Sequence, residues 1–155
     1  MTLAYLSLGS NVGERGAHLA LGVEVASAGE PYRLSRVYQS EPVGGVIQDD
    51  FWNLVMELTT EASGEELLER ARDAERRARR VRTIRWGPRT LDVDLLFVGD
   101  ERRDDPELTL PHPRIYERSF VLVPLRELAP QLVSEGQLAA GAGHVVALGT
   151  LEALR

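Results

Sequence analysis

Cysteine is absent from this chain of 155 residues, which excludes disulfides, iron–sulfur clusters, thiolate zinc sites and a cysteine nucleophile. Lysine is absent too, since all 18 basic residues are arginine. Schiff-base chemistry is thereby excluded, as is a P-loop, whose lysine reaches the phosphates. Any phosphate recognition is left to Arg forks, backbone N–H groups or a metal held by carboxylates. Histidine is limited to His18, His112 and His144, too scattered to suggest a multi-histidine metal site. No apolar run approaches the ~18–20 residues of a membrane span, and no basic-then-apolar leader opens the chain. The expectation is a cytoplasmic protein without membrane contact.

What is present suits a soluble globular protein: 43% hydrophobic and 27% charged residues, in a length that suits one domain over 1–155. The net charge of −6 conceals an asymmetry. Residues 70–89 hold nine arginines against Asp73 and Glu75, a local +7 that leaves −13 for the remainder. A small basic island in an acidic chain suits a compact polyanion better than a long nucleic-acid duplex.

Thr2–Leu8 reads as a strand ending at Gly9-Ser10-Asn11, and Leu19, Val23 and Ala26 at helical spacing predict a helix over Glu14–Ala28. Tyr32–Ser40 reads as a second strand, and Glu41–Asp50, with Pro42, Gly44 and Gly45, as a loop. Phe51–Thr60 alternates: Trp52, Leu54, Met56 and Leu58 point to the core, while Phe51, Asn53, Val55 and Glu57 point away from it. Ser63 and Glu66 form a capping box ahead of a helix over Gly64–Arg79, which buries Leu67, Ala71, Ala74 and Ala78. An Arg-rich loop leads into a strand over Leu91–Val98. Leu108–Leu110, a Pro111-His112-Pro113 turn and a helix over Arg118–Leu128 follow. The tail from Ser134 is Gly/Ala-rich, with a short closing helix after Gly149. Four or so strands interleaved with two main helices predict an α+β, ferredoxin-like sandwich, its sheet mostly antiparallel and its helices on one face.

In the strand over Leu91–Val98, Leu91, Val93, Leu95 and Phe97 face the core, so Asp92 and Asp94 share the opposite face, roughly 7 Å apart. Such a pair is either a solvated polar face or a site for a hard divalent cation. Mg²⁺ above all favours one or two carboxylates plus waters and substrate phosphates. The adjoining arginines favour the metal: carboxylates for a cation beside guanidiniums for phosphate oxygens are the equipment of phosphoryl-type transfer. Arg70, Arg72, Arg76 and Arg77 belong to a solvated helix face. Arg80, Arg82, Arg85 and Arg89 lie beyond the helix pattern, where guanidiniums can close over a triphosphate. Trp86 is either core or a flat lid. Phe51 and Asn53 put a ring and an amide side by side, on which a planar heterocycle can stack and be read. His112, between two prolines, is a turn histidine that is structural or catalytic.

Taken together these motifs resemble a known family. Arg85-Trp86-Gly87-Pro88-Arg89-Thr90-Leu91-Asp92-Val93-Asp94-Leu95-Leu96-Phe97 is similar to the signature of the 6-hydroxymethyl-7,8-dihydropterin pyrophosphokinases of folate biosynthesis. So are Ala4 to Asn11, Tyr38 to Gly44, Phe51-Trp52-Asn53, Leu110 to Arg114 and Arg118 to Leu125, in that order, and the likeness covers about residues 3–133. The resemblance implies a ferredoxin-like fold and transfer of pyrophosphate from MgATP to the pterin hydroxymethyl group, releasing AMP. It implies that Asp92 and Asp94 bind two Mg²⁺ and that Arg80, Arg82 and Arg89 engage the phosphates, the first two from a mobile loop. It places Glu75, Arg85, Trp86, Leu95, Thr109, His112 and Arg118 on the nucleotide side. Phe51 and Phe120 would sandwich the pterin, with Ser40, Val43 and Asn53 supplying hydrogen bonds, and Gly44 and Trp86 beside it. ATP and a pterin are the implied partners of a monomer or weak homodimer, with no nucleic acid. Three departures stand out: Ser40 where Thr is common, Arg79 at a usual Gly, and Trp52 at a usual aliphatic position.

Three other functions compete with this one. An Arg-rich RNA-binding module would need a basic sheet face, and the chain outside the island is acidic. A different metal-dependent phosphoryl enzyme, such as a phosphohydrolase, shares the carboxylates and arginines but has no need of paired aromatics. A ligand-binding regulatory domain leaves the acidic pair unexplained.

Overall fold

The structure is a computed structural model that describes residues 1–41, 50–80 and 90–155. Its elements follow from the apolar spacing. β1 (Thr2–Ser10) runs into α1 (Arg15–Ser27), which buries Leu19, Val23 and Ala26. β2 (Tyr32–Leu34) and β3 (Val37–Ser40) precede the long β4 (Phe51–Thr60). α2 (Gly64–Arg80) starts at a capping box in which the Glu66 N–H donates to Ser63 Oγ (3.2 Å) and the Ser63 N–H to Glu66 Oε1 (3.3 Å). β5 (Asp92–Val98) and a small hairpin, β6 (Arg103–Asp104) with β7 (Thr109–Leu110), follow. A 3-10 turn at Ile115–Glu117 leads to α3 (Ser119–Leu128), then come α4 (Glu135–Ala140), β8 (Val145–Gly149) and α5 (Leu151–Leu154).

The main sheet has the order β5-β1-β4-β3-β8, with β2 also paired to β4, and every strand pair is antiparallel. β1 and β3 run parallel with β4 between them, the split crossover expected of a ferredoxin-like α+β sandwich. Among the described residues, no helix is long and apolar enough to cross a membrane.

The helices are not confined to one face. Leu6, Leu8, Leu54, Met56, Leu58, Val93 and Leu95 pack with α1 and α2 on one side. Tyr5, Val55 and Leu96 pack with Val121, Leu122 and Leu125 of α3 on the other. The expectation of one covered face fails because Val55, Leu96 and Phe97 supply a second apolar surface that α3 must bury. Two strands also depart from strict alternation. Opposite β1 the register moves from Leu6↔Leu95 to Tyr5↔Phe97, so one extra residue is accommodated near Leu96. Phe97, expected with Leu91, Val93 and Leu95, is thereby turned to the α3 side, where it meets Tyr5 edge-on at 6.3 Å, and Val98 takes its place. The predicted strand Tyr32–Ser40 is likewise broken. There the Ser35 hydroxyl accepts the Val55 N–H (2.9 Å), a backbone bond replaced by a side chain.

Candidate active site

Each central strand changes character along the α3 face. β1 passes from Tyr5 to Ser7 and Gly9, β4 from Asn53 inward to Val55, and β5 from Asp92 and Asp94 to Leu96. Where these positions are apolar, α3 covers them. Where they turn polar the face opens into a cleft of about 680 Å³. Asp92 and Asp94 stand in the cleft on β5, Ser7 and Gly9 on β1, and Phe51 and Asn53 on β4. Ser40 of β3 adds its hydroxyl on the same side. The alternation read from Phe51–Thr60 holds: Trp52, Leu54, Met56 and Leu58 belong to the helix-side core.

Asn53 is 2% exposed, so its amide is oriented by the protein. Its Nδ2 donates to Ser40 Oγ at 2.8 Å, which leaves Oδ1 and the Ser40 O–H to meet a ligand. That orientation depends on Gly9, since a Cβ there would lie 2.8 Å from Asn53 Oδ1.

The carboxylates pair in the sheet with neighbours that leave room above them, Asp92 opposite Gly9 and Asp94 opposite Ser7. Behind them Glu75 of α2 accepts the Val93 N–H at 3.0 Å. Burial pushes the Glu75 carboxyl up, the Val93 N–H pulls it down, and the negative field of Asp92 and Asp94 raises it, leaving it above the ordinary carboxylate value. Two oxygen ligands on one face suit a hard cation that keeps water and phosphate oxygens as its other ligands. The donors present therefore fit Mg²⁺.

The opposite wall is the start of α3. Arg118 and Phe120 both line the cleft, with the guanidinium carbon 5.5 Å from the ring centroid. Arg114 and Glu117 line it as well, from the turn before α3. His112 is fixed by its N–H to Leu96 O (2.9 Å), and its Nδ1 accepts the Arg114 N–H (3.1 Å). That bond assigns the ring proton to Nε2. Burial lowers the His112 pKa, Asp94 raises it, and Arg118 and Arg114 lower it again, so the neutral ring is favoured.

The cleft thus unites Ser40, Phe51, Asn53, Asp92, Asp94, Arg118 and Phe120 from three strands and the start of α3. Glu75 and His112 flank it. Thr109 sits apart in the hairpin opposite Asp104. The Leu95 side chain packs in the helix-side core, on the face away from the carboxylates. Val43, Gly44, Arg82, Arg85, Trp86, Arg89 and the side chain of Arg80 lie outside the described residues. Sequence reasoning missed Gly9, Arg114 and Glu117, and above all the tail residues Ala142–Val145, which also line the cleft. The available signals were the Ser134-x-x-Gln137 spacing of a capping box and the β-branched pair Val145-Val146.

A family model described as 7,8-dihydro-6-hydroxymethylpterin-pyrophosphokinase (HPPK) matches residues 5–130. A 2-amino-4-hydroxy-6-hydroxymethyldihydropteridine pyrophosphokinase of Bacillus subtilis is 40% identical over 136 residues, covering 86% of this chain and 81% of that protein. One from Methylorubrum extorquens is 44% identical over 140 residues, covering 88% and 89%. Among solved structures, the Plasmodium falciparum HPPK-DHPS protein matches with a TM-score of 0.60 at 15% identity. The match covers 99% of this chain and 43% of that longer one, and it bears on the fold alone. By its sequence over most of its length, the chain belongs to the 7,8-dihydro-6-hydroxymethylpterin-pyrophosphokinase family.

Proposed function

We propose that the cleft transfers pyrophosphate from MgATP to the hydroxymethyl group of 6-hydroxymethyl-7,8-dihydropterin, giving AMP and the pterin diphosphate. The observation that carries this reading is the opening of the carboxylate pair and the aromatic–amide pair onto one cleft, in a chain of this family. Phe51 and Phe120 stack on the two faces of the pterin, while Asn53 and Ser40 read its edge. Asp92 and Asp94 hold two Mg²⁺. Bound there, the ions neutralise charge on the ATP phosphate oxygens. Arg118 and His112 serve the nucleotide side, and Arg80, Arg82, Arg85 and Arg89 engage the phosphates, with Trp86 beside them. The hydroxymethyl oxygen bonds to the β-phosphorus as the bond from that phosphorus to the AMP oxygen breaks, and the hydroxyl proton is lost. Holding the arm in line with that bond is the task of the stacked ring and the oriented amide. The tail residues in the cleft support one catalytic domain over 1–155. The use of ATP supports work in the cytoplasm.

Phosphorus NMR of the protein with MgATP and the pterin tests the reading. AMP with a new diphosphate ester is the expected outcome. ADP with a pterin monophosphate would mark a one-phosphate kinase, and free phosphate alone a hydrolase.

A further inference from the structure

The family model ends at residue 130, yet Ala142, Gly143, His144 and Val145 line the cleft. Three local features carry the tail there. Gly141 passes so close to α3 that a Cβ would lie 2.7 Å from Leu122 Cδ1 and 3.1 Å from Ser119 Oγ. Ala142 is then clamped by two backbone hydrogen bonds, its N–H to Glu117 O (3.0 Å) and its carbonyl from the Ser119 N–H (3.0 Å). Gly143 turns the chain at φ +99°, a conformation that suits glycine. The next residues join β8, with Val145 directly opposite Ser40. Directly opposed residues share a face, so Val145 extends the floor beyond Ser40.

His144 is therefore held between a clamp and a strand. The residue is exposed and lines the cleft, and its imidazole has no hydrogen bond or ion pair to any described residue. The order of the sheet fixes which end of a ligand it meets. The carboxylates are on β5 at one edge, the Asn53 amide on β4, the Ser40 hydroxyl on β3, and β8 lies at the other edge. A pterin whose hydroxymethyl arm points at Asp92 and Asp94 turns its pyrimidine edge towards β8. That edge carries N–H donors and a carbonyl, and an imidazole can pair with either.

We propose that His144 is a specificity-determining residue that hydrogen-bonds the pyrimidine edge of the pterin, a reading that rests on the function proposed above. The clamp at Ala142 gives it a fixed backbone, so little ordering opposes the contact.

The test is His144→Ala and His144→Gln in the full chain, with binding and turnover both measured. Pterin titrations are made with a non-hydrolysable ATP analogue present. H144A is expected to raise the pterin Kd and KM by about three- to tenfold, the loss of one hydrogen bond. The analogue's own Kd should stay within about twofold of wild type, a change too small for a lost contact. H144Q should recover part of the loss. Preference for the 2-amino over the 2-oxo form of the ring should shrink in H144A. Unchanged pterin affinity and preference would overturn the proposal, as would an equal loss for nucleotide and pterin, which marks a structural role. Were the wild-type protein to make no AMP and pterin diphosphate, the function itself would fall. Normal wild-type turnover with an indifferent H144A sinks only the role of His144.

Discussion

Adding one methyl group at Gly9 should disable pterin recognition without touching a group that contacts the nucleotide. A Cβ at this position would sit 2.8 Å from Asn53 Oδ1, about 0.6 Å inside ordinary contact at 3.4 Å. Asn53 is 2% exposed and its amide is held by Ser40 at 2.8 Å, so it can retreat only by giving up that bond. Overpacking of this kind costs ~1–3 kcal/mol of stability, or roughly 2–10 °C in Tm for a chain of this size. The Gly9–Asp92 pairing is between main chains and survives the added methyl. In Gly9→Ala the pterin Kd should therefore rise by about ten- to a hundredfold, as expected for a displaced buried amide, with the affinity for an ATP analogue unchanged. Calorimetric titration reads both. Asn53→Ala removes the clashing atom, so G9A should cost the N53A protein far less stability than it costs the wild type. Equal stability losses in the two backgrounds, or wild-type pterin affinity in G9A, would refute the argument that glycine is there to make room for the amide.

Asp92→Asn and Asp94→Asn should each lower kcat by more than tenfold, while the midpoint of thermal unfolding stays near that of the wild type. Retention of a tenth of the activity, equivalent to ~1.4 kcal/mol of barrier, would remove the metal role. Burial pushes the Glu30 carboxyl up, but hydrogen bonds from Thr60 (2.6 Å), Arg70 (2.6 Å) and the Glu61 N–H (2.9 Å) outweigh it and bring its pKa down to about 2. A depressed carboxyl stabilises the fold above its unfolded pKa near 4.5, and that contribution is lost as pH falls from there towards 2. The full depression corresponds to about 3 kcal/mol; with both partners 22% exposed, screening leaves roughly 1–2 kcal/mol. Glu30→Gln should thus be less stable than wild type in denaturant melts at pH 7 and nearly equal to it at pH 2; a gap independent of pH would count against the network.

What the sequence discloses depends on whether a feature is local. Phe51–Thr60 shows its two faces by strict alternation, and Ser63 with Glu66 shows the start of α2 because a capping box needs only four residues. The strand bearing Asp92 and Asp94 was equally legible. The break at Ser35 was not, because it hinges on a hydroxyl replacing one backbone partner, and nothing in Tyr32–Ser40 marks that serine from any other. The hairpin of β6 and β7 was missed although Asp105-Pro106 punctuates it, since two-residue strands carry no period. The path of the tail into the cleft was illegible for another reason. Its glycines serve contacts with α3 and a turn into β8, and a contact that joins residue 142 to residue 119 leaves no trace in local composition.

The register shift in β5 shows how one strand serves both a core and a site. With strict alternation, Phe97 would join Leu91, Val93 and Leu95 beneath α1 and α2, and the α3 face would lose the ring that meets Tyr5. The extra residue near Leu96 lets both Leu96 and Phe97 serve the α3 side while Val98 returns to the helix-side core. Asp92 and Asp94 lie before the shift, so their position over Gly9 and Ser7 is unaffected. The apolar half of the face anchors α3, and α3 in turn brings Arg118 and Phe120 to the rim of the polar half. The cleft is thus the uncovered remainder of a sheet face. Its depth and its far wall are set by where α3 begins.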